Sequence, residues 1–146
     1  MPEIPAFSRI FSLRPAERQR FLGREFQPLA DADVSRPSGL EQLHWAAGRH
    51  AAVFRCRMAH GGEVAVRCPL RRVEPEPGRR AGRVSEHLES LAPPLPHFVP
   101  SRYVGEALYI ERAWQPAFLL EWVAGRTLTD WVHNRAKESD SRALLE

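Results

Sequence analysis

The sequence predicts an α+β fold: an antiparallel sheet of about five strands with one inserted helix, an N-terminal helical arm before it and one helix after it. Three observations predict this. Residues 51–57 and 63–68 alternate apolar and polar on either side of the turn AHGG, and a period of two marks a half-buried strand. Val84, Leu88 and Leu91 recur at i, i+4 and i+7, a single helical stripe. An apolar run at 117–122 is broken by Gly125, and Thr127 with Asp130 three residues on forms a capping box that opens a further helix.

In chain order, residues 1–40 form the arm. Within it, Arg14 to Phe26 reads as one helix: Pro15 suits a first turn, and Phe21, Leu22 and Phe26 share a side. The stretch DADVSRPSG that follows has the composition of a linker. The sheet unit spans 41–124, beginning with a weak strand at 41–47. The hairpin at 51–68 turns on glycines able to take positive φ. A Pro-, Gly- and Arg-rich loop covers 69–82, then a helix covers 83–91. After APPLP come strands near 98–105, 107–112 and 117–122. Residues 125–146 hold the last helix, whose apolar face is Leu128, Trp131 and Val132.

Composition excludes several classes. Net charge is +3, and Lys137 is the only lysine among 21 basic residues, the mark of an arginine-biased coding sequence. The densest basic stretch, 67–83, is interleaved with Pro and Gly rather than aromatics, so a nucleic-acid surface is not expected. Counting outward from the AHGG turn, Cys56 falls opposite Val64 or Val66 and not opposite Cys68, so no disulfide is expected and a reducing cytoplasm fits. The six histidines form no metal-ligand spacing. No segment approaches 18 uninterrupted apolar residues, and no nucleophile motif is present.

The order of elements, with EVAVR at 63–67 and FLLEWVAGRTLTDWV at 118–132, resembles the small N-terminal lobe of the protein-kinase-like fold, in particular that of bacterial Ser/Thr kinase-like proteins. The match covers about residues 41–135. EVAVR is similar to the third-strand V-A-I-K motif, and the second stretch to the fifth strand, hinge and first large-lobe helix. The resemblance implies an ATP site in which the backbones of Glu121 and Val123 meet the adenine. Leu120 would guard the back of the pocket, and Val53 and Ala65 would cover the ring. Gly48 would belong to the phosphate loop, and Arg67 would stand where the phosphate-binding lysine belongs.

The pattern is degenerate. Aligned on Val53, the loop glycines fall at Ala46, Gly48 and Ala51, so one of three survives. Arg67 keeps the charge but replaces a flexible point charge by a flat fork. Counting from Arg67 offers Glu86 as its partner. Phasing the helix on Val84, Leu88 and Leu91 turns Glu86 about 200° away. No catalytic base and no Mg²⁺-binding motif follows within these residues, so no catalytic residue or metal ligand is assigned. The expected function is a kinase-like lobe with little or no ATP binding that works through protein contact. A missing large lobe, another protein or a second copy would meet Leu128, Trp131 and Val132. The alternatives are the N-terminal part of a functional ATP-dependent Ser/Thr kinase, and a small basic nucleic-acid-binding module.

Overall fold

The computed structural model describes residues 3–35, 46–71, 75–91 and 95–137. Its center is a six-stranded antiparallel sheet built from β1 (Asp33–Val34), β2 (Ala46–Ala47), β3 (Ala51–Arg57), β4 (Glu63–Pro69), β5 (Ser101–Ile110) and β6 (Ala113–Glu121). The sheet order is β1-β3-β4-β6-β5, with β2 pairing the same edge of β3 as β1. Helix α3 (Pro75–Glu89) crosses from β4 to β5, and α4 (Leu128–Lys137) follows β6. Among the described residues no helix is long and apolar enough to cross a membrane.

The hairpin forms as its alternation predicts. β3 buries Ala52, Phe54 and Cys56, while β4 buries Val66 and Cys68 on the same face. Gly61 takes φ of +94° in the turn, where its amide donates to the Met58 carbonyl at 2.9 Å. Register pairs Cys56 with Val64 and Cys68 with Ala52, and both thiols are free. Burial pushes the Cys56 thiol up to about 12 and Cys68 well above its usual value, so both are held as thiols.

The arm departs most from expectation. Instead of one helix over 14–26 it forms α1 (Ile4–Ser12), the single turn α2 (Pro15–Arg18) and two 3₁₀ segments, Gln19–Phe21 and Arg24–Leu29. Gly23 and Pro28 explain the break, because neither sustains an α-helix interior. The expected linker then supplies β1, whose Val34 pairs with Cys56. The arm is not an appendage. Phe7, Ile10, Phe11, Leu22, Phe26 and Leu29 pack on the Phe54–Val66 face of the sheet as one core. The Phe11 and Phe54 rings lie 4.7 Å apart. Fully burying each such aromatic stabilizes by about 1.5–3 kcal/mol.

Leu22 bridges Leu108 on β5 at one edge of the sheet, and β1 pairs β3 at the other. The arm therefore straps the whole sheet. Where Leu22–Gly23 docks, β5 bulges: Val104 pairs Ala117 and Leu108 pairs Gln115, so Gly105–Ala107 stand against Pro116 alone. Pro116 has no amide to donate, which is why the ladder breaks there. The Gly23 amide takes the freed Ala107 carbonyl at 2.8 Å. The expected strands at 98–105 and 107–112 are thus one bulged strand. Its real turn is Glu111–Arg112, both at positive φ of 52° and 65° between paired Ile110 and Ala113. That two-residue geometry favors Asn-Gly, so Glu-Arg gave no signal for it.

The inserted helix begins at Pro75 rather than 83, so most of the expected loop is helical. Pro75 and Pro77 both fall in the first turn, where backbone amides have no intrahelical partner to lose. Its buried side is also different. Gly78 and Ser85 face inward, whereas Val84 is 53% exposed. Small residues are selected because Tyr103 of β5 lies against Gly78, and Ser85 Oγ accepts from the Ser101 amide at 2.7 Å. Of the expected strand at 41–47, only Ala46–Ala47 is among the described residues.

Candidate functional site

β4 carries the two faces of the sheet in its alternation. Val64, Val66 and Cys68 face the arm, and Ala65 and Arg67 face the α3 side. Directly opposed residues of antiparallel strands share a face. Val53 lies opposite Arg67, and Ala65 lies between Arg55 on β3 and Leu120 on β6. Arg67 also lies opposite Phe118, which in turn faces Tyr103. The structure thus brings Val53, Ala65, Arg67 and Leu120 onto one face.

The other three predicted residues stand apart from that group. Gly48 sits in the β2–β3 turn, where its amide donates to the Ala51 carbonyl at 2.9 Å. An added Cβ there would meet nothing within 4 Å, so the turn imposes no need for glycine. The Glu121 side chain falls on the opposite face, across from Val64, and Val123 is 59% exposed beyond the end of β6.

Ala65 is buried and Arg67 is exposed. The Arg67 guanidinium lies over the Phe118 ring, 5.5 Å from its center, and the Phe118 and Tyr103 rings are 5.3 Å apart. This cation–π contact seats the side chain flat on the sheet. Among the described residues Arg67 pairs with no carboxylate. Glu86 is not turned away as the Val84 phase implied. It lines a groove of about 400 Å³ between α3 and the ends of β4, β5 and β6.

A second cluster occupies the end of the same face where β4 starts and β6 finishes. Arg55 Nη2 donates to both Glu63 oxygens at 2.9 and 2.8 Å, and its guanidinium lies 4.8 Å from the Trp122 ring center. The Trp122 amide donates to the Glu63 carbonyl at 3.2 Å, which ties the end of β6 to β4. The Arg55 hydrogen bond, with Arg57 nearby, holds the Glu63 carboxyl below its usual value. Sequence reasoning missed this cluster, although the register count that separated the cysteines also places Arg55 opposite Ala65.

Past β6, Thr127 Oγ1 bonds Asp130 Oδ2 at 2.6 Å and accepts from the Asp130 amide at 3.1 Å, the expected capping box. The helix it opens leaves Leu128 75%, Trp131 36% and Val132 41% exposed. Among the described residues no group of three or more His, Cys, Asp or Glu could hold a metal ion. No known protein family, curated protein or solved structure matches the chain.

Proposed function

We propose that this chain is a kinase-like small lobe whose nucleotide face has lost its chemistry and that acts through protein contact in a reducing, cytoplasmic setting. The element order after the arm supports the kinase-like layout, with β2, β3 and β4, then α3, then β5 and β6 leading into capped α4. So does the adjacency of β4 and β6. A base covered by Ala65 and bound along residues 121–123 requires those strands side by side, and Ala65 lies opposite Leu120. The two unpaired cysteines suit a reducing compartment.

The single observation that carries the loss of nucleotide chemistry is the seat of Arg67. Its fork rests on Phe118, and among the described residues no carboxylate holds it toward a phosphate. Around it the rest agrees. Ala46 and Ala51 replace loop glycines, and Arg55 with Glu63 and Trp122 fills the strip beside Ala65. The adjacent groove carries Glu63, Glu86 and Glu89, which repel polyphosphate.

What is left for function is surface. Leu128, Trp131 and Val132 present an apolar helix face to water, and burying each of these side chains stabilizes by about 1.5–3 kcal/mol. Sizing with light scattering of the chain and of Trp131→Asp tests the contact surface. The parent is expected to elute earlier or more broadly than the variant, which should run as a sharp monomer. Two identical monomer profiles would remove the support for α4 as a contact surface.

A further inference from the structure

We infer that a cavity between the arm and the far end of β5 binds a free amino acid with an apolar side chain. The cavity holds about 300 Å³, the lower end of the range for ligand pockets, which suits a small molecule. It opens on the arm side of the sheet, opposite the face that carries Arg67. The inference therefore stands apart from the kinase-like reading and from contact through α4.

Ala6, Arg9, Ile10 and Leu13 recur at i, i+3, i+4 and i+7, so α1 and its C-cap turn one side toward the cavity. Phe21 of the first 3₁₀ segment and Ile110 at the end of β5 close it from across. Ile10 and Ile110 are buried members of the arm–sheet core, and Ala6, Leu13 and Phe21 are half-buried. The interior is thus aliphatic and aromatic, with room for a hydrocarbon side chain and no polar group to meet a charged one.

Charge is confined to the mouth. A second hollow of about 320 Å³ shares Ala6, Arg9 and Glu111 with the first, and Glu3 and Pro5 complete it. Arg9 and Glu111 line both hollows, yet among the described residues neither they nor Glu3 form an ion pair. Glu111 stands at φ of 52°, a left-handed turn position that favors Asn or Gly, so local structure gives no reason for a glutamate there. An amino acid carries an ammonium and a carboxylate on one carbon, and that head group matches both signs at once. Its carboxylate would accept from Arg9, and its ammonium would donate to Glu111 and Glu3. A fatty acid would leave the glutamates unmatched, and an amine would leave Arg9 so. Within a peptide chain the same carbon loses both charges.

Saturation-transfer NMR titration of the full chain with L-leucine tests the site. N-acetyl-L-leucine lacks the ammonium, L-leucinamide lacks the carboxylate, and glycine lacks the side chain. Saturable binding of L-leucine is expected, with each blocked derivative about fivefold weaker and none by glycine. Arg9→Met and Glu111→Asn should each weaken L-leucine about fivefold as well. Glu111→Asn should melt no lower than the parent, because asparagine suits the left-handed turn, so its weaker binding cannot come from a damaged fold. The inference is overturned by absence of saturable L-leucine binding, by equal binding of the blocked derivatives, or by unchanged L-leucine binding in both variants.

Discussion

Gly23→Ala is expected to lower stability by about 3 kcal/mol, at the upper end for an overpacked position, and to lower the melting temperature by roughly 10 °C. Gly23 lies where the arm inserts into the bulge of β5, and a methyl group on it would overlap the Glu106 carbonyl oxygen. That oxygen is backbone, so no side-chain rotation relieves the overlap. Either the bulge or the arm must move, and both are anchored. The Gly23 amide is bonded to the Ala107 carbonyl at 2.8 Å, and Leu22 bridges Leu108 while only 3% exposed. Displacing the dock uncovers the apolar face of β5. Gly48→Ala is the matched control, because nothing stands near its Cβ position, and it should change stability by less than about 0.5 kcal/mol. Similar melting temperatures for the two variants would show that the arm is not seated in the bulge.

Arg18→Met should cost about 3 kcal/mol or more in urea denaturation, since each hydrogen bond to a charged group contributes about 1.5–3 kcal/mol. Arg18 is 7% exposed and fastens the arm to itself. Nη1 donates to the Leu29 and Ala32 carbonyls at 3.2 and 2.6 Å, and Nη2 to the Phe11 and Leu13 carbonyls at 2.9 and 3.0 Å. One planar fork thus ties the end of α1 to the segment entering β1. Burial pulls the guanidinium below its usual value, offset in part by the charges of Asp31 and Asp33. Methionine fills similar space but leaves four carbonyls without their donor. Arg18→Lys should fall between the two, since three donors on one nitrogen cannot span both groups of carbonyls. A methionine variant within about 1 kcal/mol of the parent would mean that the clamp does not brace the fold.

These two residues also mark where the sequence was silent. The hairpin, both cysteine positions, the capped last helix and the exposed face of α4 were legible, because each depends on neighbors in sequence. The strap was not. Leu22, Phe26 and Leu29 recur at i, i+4 and i+7 and so read as one helix, whereas they gain their meaning from strands that lie far ahead in the chain. Arg18 resembled a surface charge because its four acceptors come from residues 11, 13, 29 and 32, brought together only by the fold. Pro116 did give a signal. It ended the apolar run at 117, but its consequence fell on the opposite strand as a bulge. The helix phase failed for a related reason. Val84 looked like core by its chemistry, yet the Tyr103 ring required small residues on the inward side, so Gly78 and Ser85 face the sheet.

The face that carries Arg67 was legible as a face, though not the contacts on it. The alternation of EVAVR placed Ala65 and Arg67 away from the core, and the register puts Val53 and Leu120 beside them. The Phe118 seat and the Arg55–Glu63–Trp122 cluster arise from cross-strand neighbors that only the pairing of β4 with β6 reveals. Together they cover this face with arginines seated on aromatic rings.

The most direct test of that account is the melting temperature with and without millimolar Mg-ATP. Ligand at about 100 times its Kd stabilizes a protein by about 2.7 kcal/mol, which in a chain of this size raises the melting temperature by at least about 5 °C. With Arg67 lying on Phe118 and one loop glycine in place, the expected change is none. A rise of several degrees would contradict the account and return this face to nucleotide binding.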